Sequence, residues 1–179
     1  MWWKIIWIAA MDEDRIIGKE WWMPWHESED LQWFKEHVQN QICLMWRKTY
    51  EWFKEHLHTD WYRYAKKNLV LSKSMPDTPG VENIRSIEEL KQKYGNEIIW
   101  VLWWASVFEA LMPYLDEIYL TLVPWKHEWD TKMPEIPPYK FYCESLGETK
   151  SWLKFKKYTR GTEEEFLKIM AQYKRSPNQ

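Results

Sequence analysis

The chain has 179 residues, the size of a single domain. Lys plus Arg number 25 and Asp plus Glu 27, and the resulting net charge of −2 argues against a protein that wraps a polyanion. With 45% hydrophobic residues, 16 Trp and only 5 Gly, the chain is neither disordered nor collagen-like.

The elements alternate. Ile5–Ala10 reads as a buried strand, because the apolar run from Met1 is too short to span a membrane and Asp12, Glu13 and Asp14 follow at once. Ser28 is placed to cap a helix through His37, with Leu31, Phe34 and Val38 on one face. Ile42–Met45 is a strand. Lys48–Leu57 is a helix with Tyr50, Phe53 and Leu57 spaced for burial, and Asn68–Ser72 is a third strand. Ser86 and Glu89 form a capping box for a helix that stops at Gly95. Glu97–Leu102 is continuous and apolar, as in a parallel sheet covered on both faces. A helix over Ser106–Leu111 ends near Pro113.

Then Glu117–Val123, Tyr139–Leu146 and Trp152–Tyr158 follow with no helix between them, which predicts antiparallel pairing at one edge. A second capping box, Thr162 with Glu165, opens a last helix over 162–175 with Phe166, Ile169, Met170 and Tyr173 as its stripe, and 176–179 should fray. There is no internal repeat or linker, so residues 1–179 are expected to form one α/β domain with a mixed sheet.

Cys43 and Cys143 stand far apart, which fits a reducing compartment and a cytoplasmic protein while leaving one long-range disulfide open. His26, His37, His56, His58 and His127 make no H-E-x-x-H, and His56-x-His58 reads as a solvated loop pair, so no metal is expected. No hydrolase elbow, Walker motif or G-x-G-x-x-G is present. The basic Lys154–Arg160 stretch reads as a strand with a solvated face rather than a nucleic-acid surface.

An ordered set of segments carries a resemblance. Ile8-Ala9-Ala10-Met11-Asp12 through Ile16-Ile17-Gly18-Lys19-Glu20 comes first, then Met23-Pro24-Trp25-His26 and Glu29-Asp30-Leu31-Gln32-Trp33-Phe34-Lys35. Arg47-Lys48-Thr49-Tyr50-Glu51, Lys67-Asn68-Leu69-Val70-Leu71-Ser72 and Ile118-Tyr119-Leu120-Thr121 follow. Over about residues 4–165 the chain resembles the dihydrofolate reductase family, with the spacing broken mainly around His58–Ala65. The resemblance implies a three-layer α/β fold, an eight-stranded, mostly parallel mixed sheet with four flanking helices. The helix over 162–175 is read as an addition to it. It also implies a folate or antifolate cleft beside an NADPH cleft and NADPH-dependent reduction of 7,8-dihydrofolate. A monomer is expected, and the charge balance and the short apolar run argue against nucleic-acid and membrane partners.

By that resemblance Asp30 binds and polarises the pterin, Trp25 helps place water, and Thr121 hydrogen-bonds the catalytic acid. Taken without it, Asp30 is a first-turn acid beside Glu27 and Glu29, Trp25 is a core aromatic and Thr121 a β-former. Ile8, Ala10, Leu31, Phe34, Phe53 and Leu57 match the folate pocket, and each would serve equally as core. Either Lys66 or Arg63 replaces the arginine that clamps the substrate carboxylate. Ile17, Gly18, Arg47, Lys48, Thr49, Ser72 and Lys73 match the cofactor side, Arg47 being suited to a 2′-phosphate. Ala105, Ser106 and Val107 should open a helix whose amides meet the pyrophosphate.

The departures are mostly tryptophans. The family expects glycine at Trp46 and Trp129 and a Gly-Gly pair at Trp103-Trp104, where the backbone approaches the cofactor. Trp21, Trp22 and Trp52 are also unexpected. Their partial clustering is the pattern that an engineered pocket would leave. A second expectation is therefore a non-enzymatic scaffold or aromatic-pocket binding module, in which Trp46, Trp103 and Trp104 block the NADPH cleft and no cofactor binds.

Overall fold

A computed structural model describes residues 3–18, 27–56, 64–102, 110–127 and 131–175. The strands are β1 (Lys4–Asp12), β2 (Ile16–Gly18), β3 (Ile42–Trp46), β4 (Lys67–Leu71), β5 (Glu82–Ile84), β6 (Ile98–Leu102), β7 (Glu117–Val123), β8 (Thr131–Lys132), β9 (Phe141–Glu148) and β10 (Lys154–Arg160). The helices are α1 (Ser28–Val38), α2 (Arg47–His56), α3 (Ile87–Tyr94) and α4 (Glu163–Arg175). The helix expected over Ser106–Leu111 lies outside the described residues except at its last two positions.

Eight strands form one sheet in the order β5-β4-β3-β6-β1-β7-β10-β9. The first six in that order are mutually parallel, and β10 runs antiparallel to both β7 and β9. The reason is chain connectivity. A helix or long loop between successive strands returns the chain to the same end of the sheet, whereas the short connection from β9 to β10 reverses it.

β1 is central and buried on both faces. Ile6 and Ile8 pack with Phe34 and Val38 of α1 and Tyr50 and Phe53 of α2. Ile5 and Trp7, on the opposite face, pack with Leu90 and Tyr94 of α3. This is the layering that the alternation of apolar runs and amphipathic stretches demands.

The ends of the elements bring corrections. Ser28 does not cap α1 but is its first helical residue; Glu27 holds the cap position with extended backbone and no side-chain bond. The buried stripe of α1 is Asp30, Phe34 and Val38, with Leu31 only half-buried. In α3 the Glu89 amide donates to Ser86 Oγ at 3.1 Å, but the Glu89 carboxylate accepts from Arg85 N rather than from the cap residue. Gly95 ends α3 at φ −65°, without the left-handed turn its identity suggests. The box at α4 is reciprocal: Thr162 N donates to Glu165 Oε2 at 2.7 Å and Glu165 N to Thr162 Oγ1 at 3.2 Å. Both cysteines are free, Cys43 buried and Cys143 exposed; burial pushes the Cys43 thiol up to about 12. Among the described residues no helix is long and apolar enough to cross a membrane.

Candidate functional site

Parallel pairing of β1 with β7 and antiparallel pairing of β7 with β10 set three residues in a row, Ala10, Thr121 and Phe155. Thr121 is almost wholly buried, at 1% exposure. Ala10 and Phe155 form a small core with Val123 and Leu153, and Trp33 of α1 packs on it. The Trp33 ring stacks on Phe155 with centroids 4.2 Å apart. Asp30, one turn earlier on the same helix, is 6% exposed. A carboxylate at this depth is unusual in a first turn, whose acids ordinarily face water. Its neighbour Glu29 behaves differently: hydrogen bonds from the Ser151 and Thr149 side chains hold its carboxyl below the usual range.

Of the expected folate-pocket residues, Ile8, Phe34 and Phe53 meet in one apolar cluster with Met45, Trp100 and Leu102. Ala10 belongs to the adjoining cluster with Phe155, and Leu31 is half-buried in neither. Lys66 is exposed just before β4, its amide donating to Gln41 O at 2.8 Å. It lines a cavity of about 520 Å³ together with Lys67, Gly80 and Glu82. Trp25, Leu57, Arg63, Trp103, Trp104, Ala105, Ser106 and Val107 lie outside the described residues.

On the other side of the site, three adjacent parallel strands release polar residues at their carboxyl ends. This is where open α/β sheets place their ligands. Arg47, Lys48 and Thr49 form the first turn of α2 directly after β3. Arg47 Nε pairs with Glu51 Oε1 at 2.6 Å and Nη1 donates to Ser74 Oγ at 3.4 Å. Ser72 follows β4 and accepts the Met75 amide on its hydroxyl at 3.1 Å, which shapes the turn carrying Lys73 and Ser74. After β5, Arg85 donates to Lys73 O at 3.0 Å. Thr49 is 4% exposed, and its hydroxyl finds no hydrogen-bond partner among the described residues. Trp46 ends β3 beside Leu71 and is 36% exposed. Ile17 is core, and Gly18 pairs with Thr131 in the small β2–β8 sheet.

Sequence reasoning missed Ser74 and Arg85, although an arginine just past an apolar run is the signal that singled out Arg47. It also missed Asp12, which is fully buried at the end of β1. Asp12 Oδ1 accepts the Asp14 and Ile16 amides at 2.9 and 2.8 Å, and Oδ2 accepts the His127 amide at 2.9 Å. One carboxylate thus ties the β1–β2 turn to the connection after β7. The spacing Asp12-x-Asp14 before an apolar pair is the trace of that turn in the sequence. Among the described residues no group of three or more His, Cys, Asp or Glu side chains is arranged to hold a metal.

Comparison with known proteins gives a consistent result. The dihydrofolate reductase family model matches residues 4–160. The chain is 34% identical over 135 residues to the dihydrofolate reductase of Bacillus subtilis, covering 74% of this chain and 76% of that one. It is 30% identical over 135 residues to the Staphylococcus aureus dihydrofolate reductase, covering 75% and 78%. Among solved structures, a dihydrofolate reductase from Enterococcus faecalis complexed with NADP(H) and RAB-propyl superposes with a TM-score of 0.73 at 24% identity, over 89% of this chain and 97% of that one.

Proposed function

The chain belongs to the dihydrofolate reductase family, and from that premise we propose that it reduces 7,8-dihydrofolate to tetrahydrofolate with NADPH. The observation that carries the reading is Asp30, a carboxylate 6% exposed on the helix packed over the Ala10–Thr121–Phe155 row. An ionised carboxylate in such a place offers two acceptors to the adjacent amino group and ring nitrogen of a pterin or diaminopyrimidine, a pairing that favours the protonated ring. Ile8, Phe34 and Phe53 supply the apolar wall for that ring, and Thr121 is proposed to fix Asp30 and its proton. Trp25 would order water beside it, and Lys66 or Arg63 would meet the substrate carboxylate.

The residues past β3, β4 and β5 fit a phosphorylated dinucleotide. Arg47, Lys73, Ser74 and Arg85 are donors of the right chemistry, and the buried Thr49 hydroxyl, in the first turn of α2, has no hydrogen-bond partner among the described residues. NADPH, when bound, supplies the hydride. Arg47 and Arg85 would hold its 2′-phosphate, and Thr49 with the amides at Ala105, Ser106 and Val107 its pyrophosphate.

A second reading is a non-enzymatic scaffold with Trp46, Trp103 and Trp104 filling the cofactor cleft. Trp46 favours it by standing at the same strand end as Arg47. NADPH absorbance loss with dihydrofolate separates the two. Turnover by the unmodified chain at about 1–10³ s⁻¹ supports the reductase. Turnover only after Trp46→Gly, Trp103→Gly and Trp104→Gly are combined supports the filled cleft. On the substrate side, Asp30→Asn should abolish most binding of a diaminopyrimidine antifolate, since a charged hydrogen bond contributes about 1.5–3 kcal/mol. Equal calorimetric affinity of the two proteins would remove Asp30 from the site.

A further inference from the structure

The start of α2 is electrostatically inverted. α1, α3 and α4 each carry acids in the first turn, as the partial positive charge of a helix N-terminus favours. α2 has none there; its first turn holds Arg47 and Lys48 instead. The turns after β4 and β5 add Lys73 and Arg85, and Arg85 is joined to the first of these by its bond to Lys73 O. A second observation points to an anion at this place: the Thr49 side chain is 96% buried by its 4% exposure, and its hydroxyl has no partner among the described residues.

The compensating anion comes from one turn further along the same helix. Glu51 Oε1 meets Arg47 Nε at 2.6 Å, while Arg47 Nη1 reaches Ser74 Oγ. The order of this pair, with the base N-terminal to the acid, is the less favourable one for a helix. Both side chains are substantially exposed, at 41% and 47%, so the bond is a screened, exchangeable one rather than a buried lock. Glu89 is engaged elsewhere, with Lys93 and the Arg85 amide.

We infer that Glu51 is a specificity-determining residue of this site, an internal counter-anion that competes with a ligand's phosphate for Arg47 and so sets how strongly the protein prefers a phosphorylated ribose. The inference rests on the proposed cofactor site and deepens it. Glu51 lowers affinity for a phosphate monoester in two ways: it occupies a donor of the guanidinium, and its charge repels the incoming dianion. A ligand without the phosphate meets neither effect.

The test is calorimetry on the full chain at low ionic strength, with adenosine 2′-monophosphate and adenosine as the two probes. Glu51→Gln keeps the size and a hydrogen-bond acceptor but removes the charge, at an exposed position where folding is not at risk. The expected result is about two- to fivefold tighter binding of the monophosphate by Glu51→Gln, with adenosine unchanged, from the worth of one exposed ion pair. Arg47→Gln should erase the preference for the monophosphate. Equal or weaker binding of the monophosphate by Glu51→Gln would overturn the inference, and weaker binding would mean that Glu51 positions Arg47. Should the unmodified chain and both variants bind the two probes alike, the phosphate site itself fails, and the inference with it.

Discussion

Trp33 of α1 lies nearly flat on Phe155 of β10, centroids 4.2 Å apart and planes 18° from parallel. This contact fastens the helix that carries Asp30 to the antiparallel edge of the sheet. Trp33 also meets His37 at 4.1 Å, but its buried indole nitrogen has no hydrogen-bond partner among the described residues. Stacking and burial, not hydrogen bonding, therefore give the residue its worth. Trp33→Ala should cost about 2–4 kcal/mol in urea unfolding, somewhat less than a fully buried aromatic because the ring is half-buried. Trp33→Phe should cost much less, because it keeps the stack and removes an unsatisfied donor. Equal losses in the two variants would contradict this account.

Gly161 precedes α4 where the Tyr142 and Phe166 rings stack at 4.5 Å, 10° from parallel. A Cβ at residue 161 would collide with the Tyr142 ring and stand 2.6 Å from Phe166 Cε2. Both rings would have to move. Gly161→Ala is expected to cost about 1–3 kcal/mol, the range for overpacking. Adding Phe166→Ala removes one clash and gives the stacked Tyr142 ring room to shift, so it should reduce the cost of the alanine. A double-mutant cycle in thermal unfolding reads this coupling, and strict additivity would refute the steric explanation.

The same contrast between local and assembled features decides how much could be read in advance. β1, β3, β6 and β7 are apolar runs long enough to declare themselves, and Glu117–Val123 matches β7 residue for residue. β2, β5 and β8 have three, three and two residues, too few to show any period. β9 begins at Phe141 rather than Tyr139 because Lys140 and Phe141 both donate to Pro137 O, holding the segment in a turn. At the site, Asp30 stood out only through family resemblance, since locally it looks like its neighbour Glu29. Asp12, Ser74 and Arg85 gave less warning. Their partners His127, Arg47 and Lys73 lie 115, 27 and 12 positions away, and only strand register brings each pair together.

Trp152 was expected to begin the last strand, but it sits in the preceding turn at φ 64° and is 65% exposed. Thr149 makes this turn: its hydroxyl accepts the Ser151 and Leu153 amides at 3.2 and 3.3 Å, and its carbonyl accepts the Trp152 amide at 3.1 Å. A bulky residue in the left-handed region carries a cost of about 1–2 kcal/mol that glycine avoids. Little packing is lost on removing so exposed a ring, although glycine adds entropy to the unfolded chain. Trp152→Gly should therefore raise the urea midpoint by an amount worth up to about 1 kcal/mol. A lower midpoint would show that the indole makes contacts outweighing its backbone strain.

Glu82 on β5 joins three donors: Lys67 Nζ at 2.6 Å, Lys93 Nζ at 3.1 Å and the Tyr94 hydroxyl at 2.6 Å. These bonds, that of Lys67 foremost, bring its carboxyl from the usual 4.5 down to about 2. A folded-state value below the unfolded one means that folding favours the ionised form. The resulting stability is fully present above about pH 4.5 and is lost as pH falls toward 2. Glu82→Gln lacks this titration but keeps an oxygen acceptor. The urea midpoints of the two proteins should thus differ most at neutral pH, with the unmodified chain higher, and converge as pH falls from 4.5 to about 2. Other carboxylates titrate in both proteins, so the difference isolates this one. A gap that stays constant through that window would mean that the charge on Glu82 adds nothing, and that the β4–β5–α3 corner is held by packing alone.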